Sequence, residues 1–470
     1  MYDILIVGSG ISALSFIEGL KVDKKKIAII SFEKKNYSKI KLPEDHYKID
    51  INKKNLPPRF NLGESIQPLI EYFKKNKINI QKKISFFGYL NSGGVSNYWG
   101  CSCEFPTKKN ILFLKNKNKI NLINAFNHIY SKYNFTGMQN INSKNEHFKD
   151  RKIDNYFSKI INKTKNLKSN VNFYLNCIAV DNKNKKSFIP KNFNKKKVIK
   201  ELNYIVEKIK RKNSYYEVFC EDKNGKKYVV LTRKLVLAAG TIASTKIVSE
   251  MIKYKKKIDI QHNPMLFGVF LSKKNLNIHK NFEPSSLAAR VKFPNTNLSA
   301  IANFRSTNSL IKKKLFDSFF FMKNFLSKKV FSLCEKKIIF INLYLDNKYS
   351  NLQMKVLGNG ETKISLKRDN SPIIKSELTR NFNEIFQKLK KENFIYSFKH
   401  SYLPDIGSDN HFTGTIPISK VKSRLSLNEN SELKNYKNFY IIDGSAIPKT
   451  NLKFPTGMII ANAYRIGRML

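Results

Sequence analysis

Two groups of residues with chemically useful types and spacing lie at opposite ends of the 470-residue chain. Near the start, Gly8, Gly10 and Ala13 form a G-x-G-x-x-A pattern between the apolar run 4–7 and an apolar, helix-like stretch. In such a turn the first glycine permits a tight bend, the second admits a diphosphate, and the alanine lets the helix pack on the strand. The amides at the helix start would face the diphosphate. The pattern alone is weak, but in this context it predicts a dinucleotide-binding turn.

A second apolar run at 27–30 follows at the spacing of a β-α-β unit. The acidic residue that binds the ribose hydroxyls in such units is expected at the end of this strand. Ser31 stands there, and Glu33 lies two positions later. Two interpretations of Glu33 stay open, a ribose ligand or a glutamate in a solvated loop.

At the other end of the chain, His411 begins the sequence His-Phe-Thr-Gly-Thr. When a flavin oxidises an alcohol, a hydride leaves the carbon and a nearby group must take the hydroxyl proton. Histidine is suited to accept a proton at neutral pH. The dinucleotide-binding start and this histidine together suggest a flavin enzyme that oxidises an alcohol.

The elements that must position these groups are predicted from hydrophobic periodicity. Three alternating runs predict a meander of strands at 204–210, 215–220 and 227–231. The meander leads into a buried strand at 234–240 that ends at Gly240, before a helix over 242–251. Gly240 would approach the cofactor, or serve only as a strand-to-helix turn. The middle of the chain carries no cofactor motif, and there we expect a substrate-binding sheet that includes a strand at 338–345 and a helix at 376–391.

Four motifs in this order resemble the glucose–methanol–choline family of FAD-dependent oxidoreductases. They are the N-terminal glycine turn and the segments 93–100, 237–245 and 440–448. The resemblance implies an α/β fold, with a Rossmann-type FAD-binding domain and an inserted substrate-binding domain of mixed β-sheet and helices. The predicted FAD-binding domain is discontinuous and comprises residues 1–105, 200–255 and 405–470. The inserted substrate-binding and cap regions comprise residues 106–199 and 256–404.

The segment 93–100 suits the neighbourhood of an isoalloxazine ring. Gly93 and Gly94 would let the backbone lie against a flat ring, and Ser96 and Asn97 could hydrogen-bond its polar edge. The segment is most similar to pyranose 2-oxidase-like members, in which a histidine here is bonded to the flavin. Tyr98 stands at that position. The resemblance therefore implies non-covalent FAD and a sugar-like substrate.

The same resemblance assigns roles near the C-terminus. Asp443 would bond the ribityl-diphosphate part of FAD, backbone amides near Gly444 would approach the phosphate, and His411 would be the active-site base.

One departure from the family pattern concerns a second catalytic His or Asn just before a Pro-Thr pair. Phe454 stands there, and phenylalanine can neither hydrogen-bond a hydroxyl nor share its proton. Three explanations stay open: His411 acts alone, another polar residue such as Asn451 moves in, or the chemistry has become redox-neutral or reductive. Pro455 and Thr456 would begin a helix. Its positive end could stabilise reduced, anionic flavin, or the helix could be an ordinary buried one.

The chain is strongly basic, with 87 Lys and Arg against 35 Asp and Glu and a formal charge of +52. This charge would attract any polyanion. Most of the basic residues are lysines, whereas arginine is the residue suited to bidentate phosphate or base recognition. We interpret them as solvated surface with no specific nucleic-acid site. Weak association with anionic membranes, or a non-catalytic basic binding protein, are the alternatives.

The N-terminus lacks the pattern of a signal peptide, and no run reaches the roughly 18 apolar residues of a membrane span. An odd number of cysteines, 5, fits a reducing compartment. We therefore expect a cytoplasmic enzyme. In that setting a dehydrogenase that passes electrons from an alcohol or sugar to an unknown acceptor is preferred to an oxidase.

Overall fold

The computed structural model describes residues 1–21, 25–32, 67–99, 101–104, 111–133, 135, 155–164, 169–181, 186–187, 199–276, 287–293, 300–306, 335–421, 423–448 and 454–470. The helices, numbered in chain order within this part, are α1 (Ile11–Gly19), α2 (Gln67–Asn76), α3 (Asn116–Lys132), α4 (Asn155–Thr164), α5 (Thr241–Met251), α6 (Ser371–Lys391) and α7 (Thr456–Met469). The strands of the same part are β1 (Tyr2–Val7), β2 (Ile27–Ile30), β3 (Ile78–Ile80), β4 (Val171–Leu175), β5 (Val180–Asp181), β6 (Lys186–Ser187), β7 (Ile199–Leu202), β8 (Ile205–Arg211), β9 (Tyr216–Glu221), β10 (Lys227–Leu237), β11 (Ile258–Ile260), β12 (Met265–Ser272), β13 (Leu287–Val291), β14 (Ala300–Ser306), β15 (Ile338–Leu345), β16 (Leu352–Val356), β17 (Thr362–Leu366), β18 (Ile395–Tyr402) and β19 (Phe439–Ile441).

The largest sheet has the order β7-β2-β1-β10-β9-β8, and β19 also pairs with β10. Strands β7, β2, β1, β10 and β19 run parallel, so their carboxyl ends meet at one edge. β2 is buried along its whole length, which explains its continuous apolar sequence. Helices α1 and α7 pack closely, since a Cβ on Gly19 would lie 2.3 Å from the carbonyl oxygen of Tyr464. The two ends of the chain therefore share one core.

β10, which ends at Leu237, corrects the sequence prediction of two strands at 227–231 and 234–240. It is one continuous strand because its two halves have different partners. Its first half pairs antiparallel with β9, and its second half pairs parallel with β1 and β19. The charged side chain of Arg233 does not break the strand, because it is exposed and its Nη1 donates to Asp3 Oδ1 at 2.7 Å.

A six-stranded sheet, β18-β12-β15-β14-β13-β4, forms a second layer. One of its faces packs against α4 and α6 in a separate apolar core. On β15, predicted at 338–345, alternate residues face opposite sides, so Ile341 and Leu343 belong to that core while Tyr344 faces the other way. α6 begins at Ser371, five residues before the predicted start, with a proline in its first turn that suits a helix N-terminus. A four-stranded sheet, β11-β16-β17-β3, completes the larger elements.

Helix α3 packs against α7, where Arg465 Nη1 donates to Asn118 Oδ1 at 3.2 Å. α3 lies within the segment 106–199, and the division into two domains stays a prediction. Among the residues described, we find no helix with the length and apolar character needed to cross a membrane.

Candidate active site

The carboxyl ends of β1 and β10 bring two of the predicted glycine turns together. Gly8 follows β1 with a φ of +102°, and a Cβ there would lie only 2.3 Å from the carbonyl oxygen of Ala238, just after β10. Gly8 is therefore required for strand packing. Gly10 precedes α1 with an ordinary φ of −71°, and a Cβ on it would contact only the Gly93 carbonyl oxygen, at 3.8 Å. Ala13 is fully buried in α1, where its small side chain allows close packing.

Residues 93–99, the described part of the predicted flavin segment, lie directly beside this turn. The Gly93 amide donates to the Ser9 carbonyl at 3.2 Å, and both Gly93 and Gly94 have a positive φ, +89° and +53°. Ser96 is buried, and its hydroxyl donates to the Gly93 carbonyl at 2.5 Å. This hydroxyl therefore holds the glycine turn in shape. The Asn97 side chain lies outside the described part of the structure.

Three other residues singled out in the sequence also lie outside the described part. They are the candidate ribose ligand Glu33, the alternative polar residue Asn451, and the side chain of Tyr98. Their predicted roles stay predictions.

Asp443 follows β19 and joins two turns through its buried carboxylate. Oδ2 accepts from the Gly240 amide at 3.0 Å and from the Ser244 hydroxyl at 2.5 Å. Oδ1 accepts from the amide and the hydroxyl of Ser445, at 3.0 and 2.5 Å. Burial raises the pKa of Asp443, and these hydrogen bonds offset the effect only in part. Amide and hydroxyl groups of the protein therefore donate to this carboxylate, and these hydrogen bonds hold the start of α5 beside the turn after β19.

The segment that carries His411 is bound to the same turns. Thr241 Oγ1, at the start of α5, donates to the Phe412 carbonyl at 2.6 Å, and the Gly414 amide donates to the Gly444 carbonyl at 3.1 Å. A Cβ on Gly444 would lie 2.5 Å from Thr241 Oγ1 and 2.7 Å from the Phe412 carbonyl oxygen. Only glycine permits this approach. The structure therefore brings His411 to the carboxyl edge of the parallel sheet, where the glycine turns lie.

Aromatic side chains surround the His411 ring. Its centroid lies 5.2 Å from that of Tyr344 on β15 and 5.0 Å from that of Phe454, just before α7. Phe454 is buried with Tyr344, Met265 and Ile301 in a small apolar cluster, which we call the aromatic wall. The His411 side chain remains 21% exposed. Phe454 therefore contacts His411, and a polar residue in its place would have reached the imidazole.

Two polar residues that the sequence reasoning missed lie behind His411. The buried carboxylate of Asp409 accepts from the His411 amide at 3.1 Å, and its Oδ2 lies 3.9 Å from His411 Nδ1. Its other oxygen lies 3.1 Å from Nδ1 of His262, a fully buried histidine between β11 and β12. A pairing of Gln261 with Thr413 brings these segments together. Asp409 stands two residues before His411 and could have been noticed, but nothing around His262 in the sequence marks it.

Asp409 and Asp443 are both buried carboxyls, but their pKa values shift in opposite directions. Burial opposes ionisation of Asp409, yet His262, His411 and the Asn263 amide together hold its pKa below the ordinary value. The groups that donate hydrogen bonds to Asp443 are all uncharged, so the effect of burial is larger than theirs and its pKa is raised. The charge of the partners decides the direction of each shift.

The open side of the glycine turns fits a dinucleotide. A Cβ on Gly240 would meet nothing within 4 Å, and one on Gly94 would meet only a carbonyl oxygen at 4.0 Å. No side chain caps the start of α1 or of α5, so backbone amides there can serve an anionic ligand. α7 begins at Thr456 after Pro455, as predicted from the sequence, and also lacks a side-chain cap. These residues suit a diphosphate held by helix starts beside a flat ring.

Comparisons with known proteins show the fold. Neither a protein-family model nor a curated protein matches the chain. The crystal structure of pyridoxine 4-oxidase from Mesorbium loti is similar over 100% of this chain and 99% of that one, with a TM-score of 0.60 and 10% sequence identity. This likeness confirms the predicted fold class, α/β with a Rossmann-type domain. It lends no support to a pyranose 2-oxidase-like subgroup, nor to the preference for a dehydrogenase, because the similar protein is an oxidase.

Proposed function

We propose that the chain is an FAD-dependent oxidoreductase that oxidises a CH–OH group, with His411 as the proton acceptor. The observation that carries the proposal is the binding of the His411 segment to the turns after β10 and β19. One histidine therefore lies at the edge of the sheet where the glycine turns can hold a dinucleotide. The fold likeness to pyridoxine 4-oxidase and the four sequence motifs support the same reading.

In this proposal different residues bind the cofactor, accept the proton and exclude water. Gly10, Gly94 and Gly240 leave room for non-covalently bound FAD, and the start of α1 faces its diphosphate. FAD, when bound, supplies the acceptor for the substrate hydride. His411 takes the hydroxyl proton, since it is the partly exposed base at the site. Phe454 keeps water from one side of the imidazole.

The substrate that we propose is an alcohol whose reacting carbon is attached to a flat or apolar ring. Tyr344 and Phe454 pack against the His411 ring, and Met265 and Ile301 belong to the same apolar cluster. Burying the hydroxyls of a sugar against such a wall without hydrogen-bond partners would cost free energy. A flat ring can instead pack on the two aromatic rings. The similar structure is named for activity on pyridoxine, which is also a ring alcohol.

The first test is the absorption spectrum of the purified protein before and after denaturation. A flavin spectrum that is released on denaturation supports non-covalent FAD, and a colourless protein that also fails to take up added FAD contradicts the proposal. The second test is anaerobic stopped-flow mixing with pyridoxine, benzyl alcohol and D-glucose. We expect the ring alcohols to bleach the flavin, whereas bleaching by glucose alone would reject the proposed substrate class.

The variant His411→Asn tests the proton acceptor. It should slow flavin reduction by about 10²- to 10⁴-fold, the usual contribution of general base catalysis. His400→Asn is the matched control, because His400 lies on the edge strand β18. Equal rates for His411→Asn and the wild type would exclude the assigned role. Reoxidation by dioxygen or by a quinone then decides between an oxidase and a dehydrogenase.

A further inference from the structure

The carboxylate of Asp409 is held in place by groups from two segments of the chain, residues 262–263 and residue 411. Oδ1 lies 3.1 Å from His262 Nδ1, and Oδ2 accepts from the amides of Asn263 and His411 at 2.9 and 3.1 Å. His262 is itself fixed, because its Nε2 lies 3.3 Å from the Oδ1 of Asn351, a fully buried side chain. Four residues thus form a polar row that runs from the buried side chains of Asn351, His262 and Asp409 to the partly exposed His411.

We propose that Asp409 is a positioning residue for His411, and that His262 holds Asp409 in that task. This inference rests on the proposed function. Asp409 faces the Nδ1 side of the imidazole, whereas Tyr344 and Phe454 pack against its ring. A carboxylate on that side favours a proton on Nδ1, which leaves Nε2 as the nitrogen with a lone pair for the substrate hydroxyl.

The same carboxylate stabilises His411 once it has accepted the proton. The step breaks the O–H bond of the alcohol and forms an N–H bond on Nε2, so the imidazole becomes a cation. A carboxylate oxygen 3.9 Å from Nδ1 attracts that cation, and the attraction is strong where water is excluded. The reciprocal effect is present in the free protein, where His411 contributes to the lowered pKa of Asp409.

The first experiment leaves Asp409 and His262 unchanged. Nitrogen-15 NMR of protein labelled at its 7 histidines reports which ring nitrogen carries the proton. The signal of His411 is assigned by its loss in His411→Asn. We expect neutral His411 to carry its proton on Nδ1, and a proton on Nε2 would overturn the proposal whether or not a variant of Asp409 folds.

The second experiment compares Asp409→Asn with Asp346→Asn. Asp346 is also buried, but its carboxylate caps a short turn by accepting from the Lys348 amide at 2.8 Å. Asparagine preserves such a cap. We expect Asp409→Asn to lower the pH at which His411 titrates and Asp346→Asn to leave it unchanged. An unchanged titration of His411 in folded Asp409→Asn would reject the proposal.

The pH dependence of kcat/KM provides a measurement that a purely structural role of Asp409 would leave unchanged. With an alcohol that reduces the wild-type flavin, Asp409→Asn should shift the acid limb of kcat/KM to lower pH and lower its plateau by about tenfold. If the plateau of kcat/KM falls while its acid limb stays at the wild-type pH, the substitution has damaged the fold and the positioning role of Asp409 is rejected. Should no alcohol reduce the flavin, the proposed function fails, while the NMR titration still decides the role of Asp409.

Discussion

The substitution Gly10→Ala tests the dinucleotide turn without disturbing the fold. The φ of −71° and ψ of −177° at Gly10 suit alanine, and the added Cβ would contact only the Gly93 carbonyl oxygen, at 3.8 Å. Replacing glycine by alanine before a helix costs at most about 1 kcal/mol. The methyl group would, however, project into the space proposed for the diphosphate. Loss of one charge-assisted hydrogen bond there costs about 1.5–3 kcal/mol, which weakens FAD binding about 10- to 100-fold.

Gly8→Ala is the matched control for this prediction. Its Cβ would lie 2.3 Å from the Ala238 carbonyl oxygen, and the φ of +102° is unfavourable for alanine. Because backbone cannot yield as a flexible side chain does, we expect a loss of about 1–3 kcal/mol or more in the free energy of unfolding. Urea unfolding of the apoprotein and fluorescence titration with FAD measure the two effects. Wild-type FAD affinity in Gly10→Ala would show that the diphosphate does not lie at this turn.

Three further predictions concern the surroundings of His411. Phe454→Ala should lower the free energy of unfolding by about 3–5 kcal/mol in urea titrations, because the ring is only 3% exposed. Asp443→Ala should destabilise the protein and weaken FAD binding together, since it leaves buried donors of two turns without an acceptor. Asp409 has a folded pKa below its ordinary 3.8, so its stabilising contribution is present above that pH and is lost as the pH falls towards the folded pKa. Asp409→Asn should therefore lose less stability than the wild type on acidification, as measured by urea unfolding between neutral and acidic pH.

The sequence predicted the backbone of the site better than its side-chain surroundings. The strands at 27–30 and 338–345 were predicted at their observed bounds, because both are mainly apolar runs buried on two sides, with Asn342 as the one polar interruption of the second. The start of α7 at Thr456 followed from the Pro-Thr pair. These features depend on local sequence, and local sequence is sufficient to identify them.

Features that depend on distant partners could not be predicted. Nothing near residue 232 shows that β10 changes from an antiparallel to a parallel partner, so two strands were expected in place of one. The contact of His262 with Asp409 joins residues 147 positions apart. The aromatic wall likewise assembles from β12, β14, β15 and the residue before α7. Each of these requires the tertiary fold.

The surroundings of Phe454 bear on the three explanations that the sequence left open. Phe454 contacts His411 at 5.0 Å between ring centroids, so the side of the imidazole on which a second polar residue was expected is apolar. The nearby charged group is on another side, where Asp409 lies 3.9 Å from Nδ1 and is held by His262. A carboxylate behind the imidazole would stabilise the proton that we propose His411 accepts, whereas Phe454 offers the substrate hydroxyl no hydrogen bond. This geometry supports the proposal of alcohol oxidation, with Asp409, two positions before His411, as a polar partner of the imidazole.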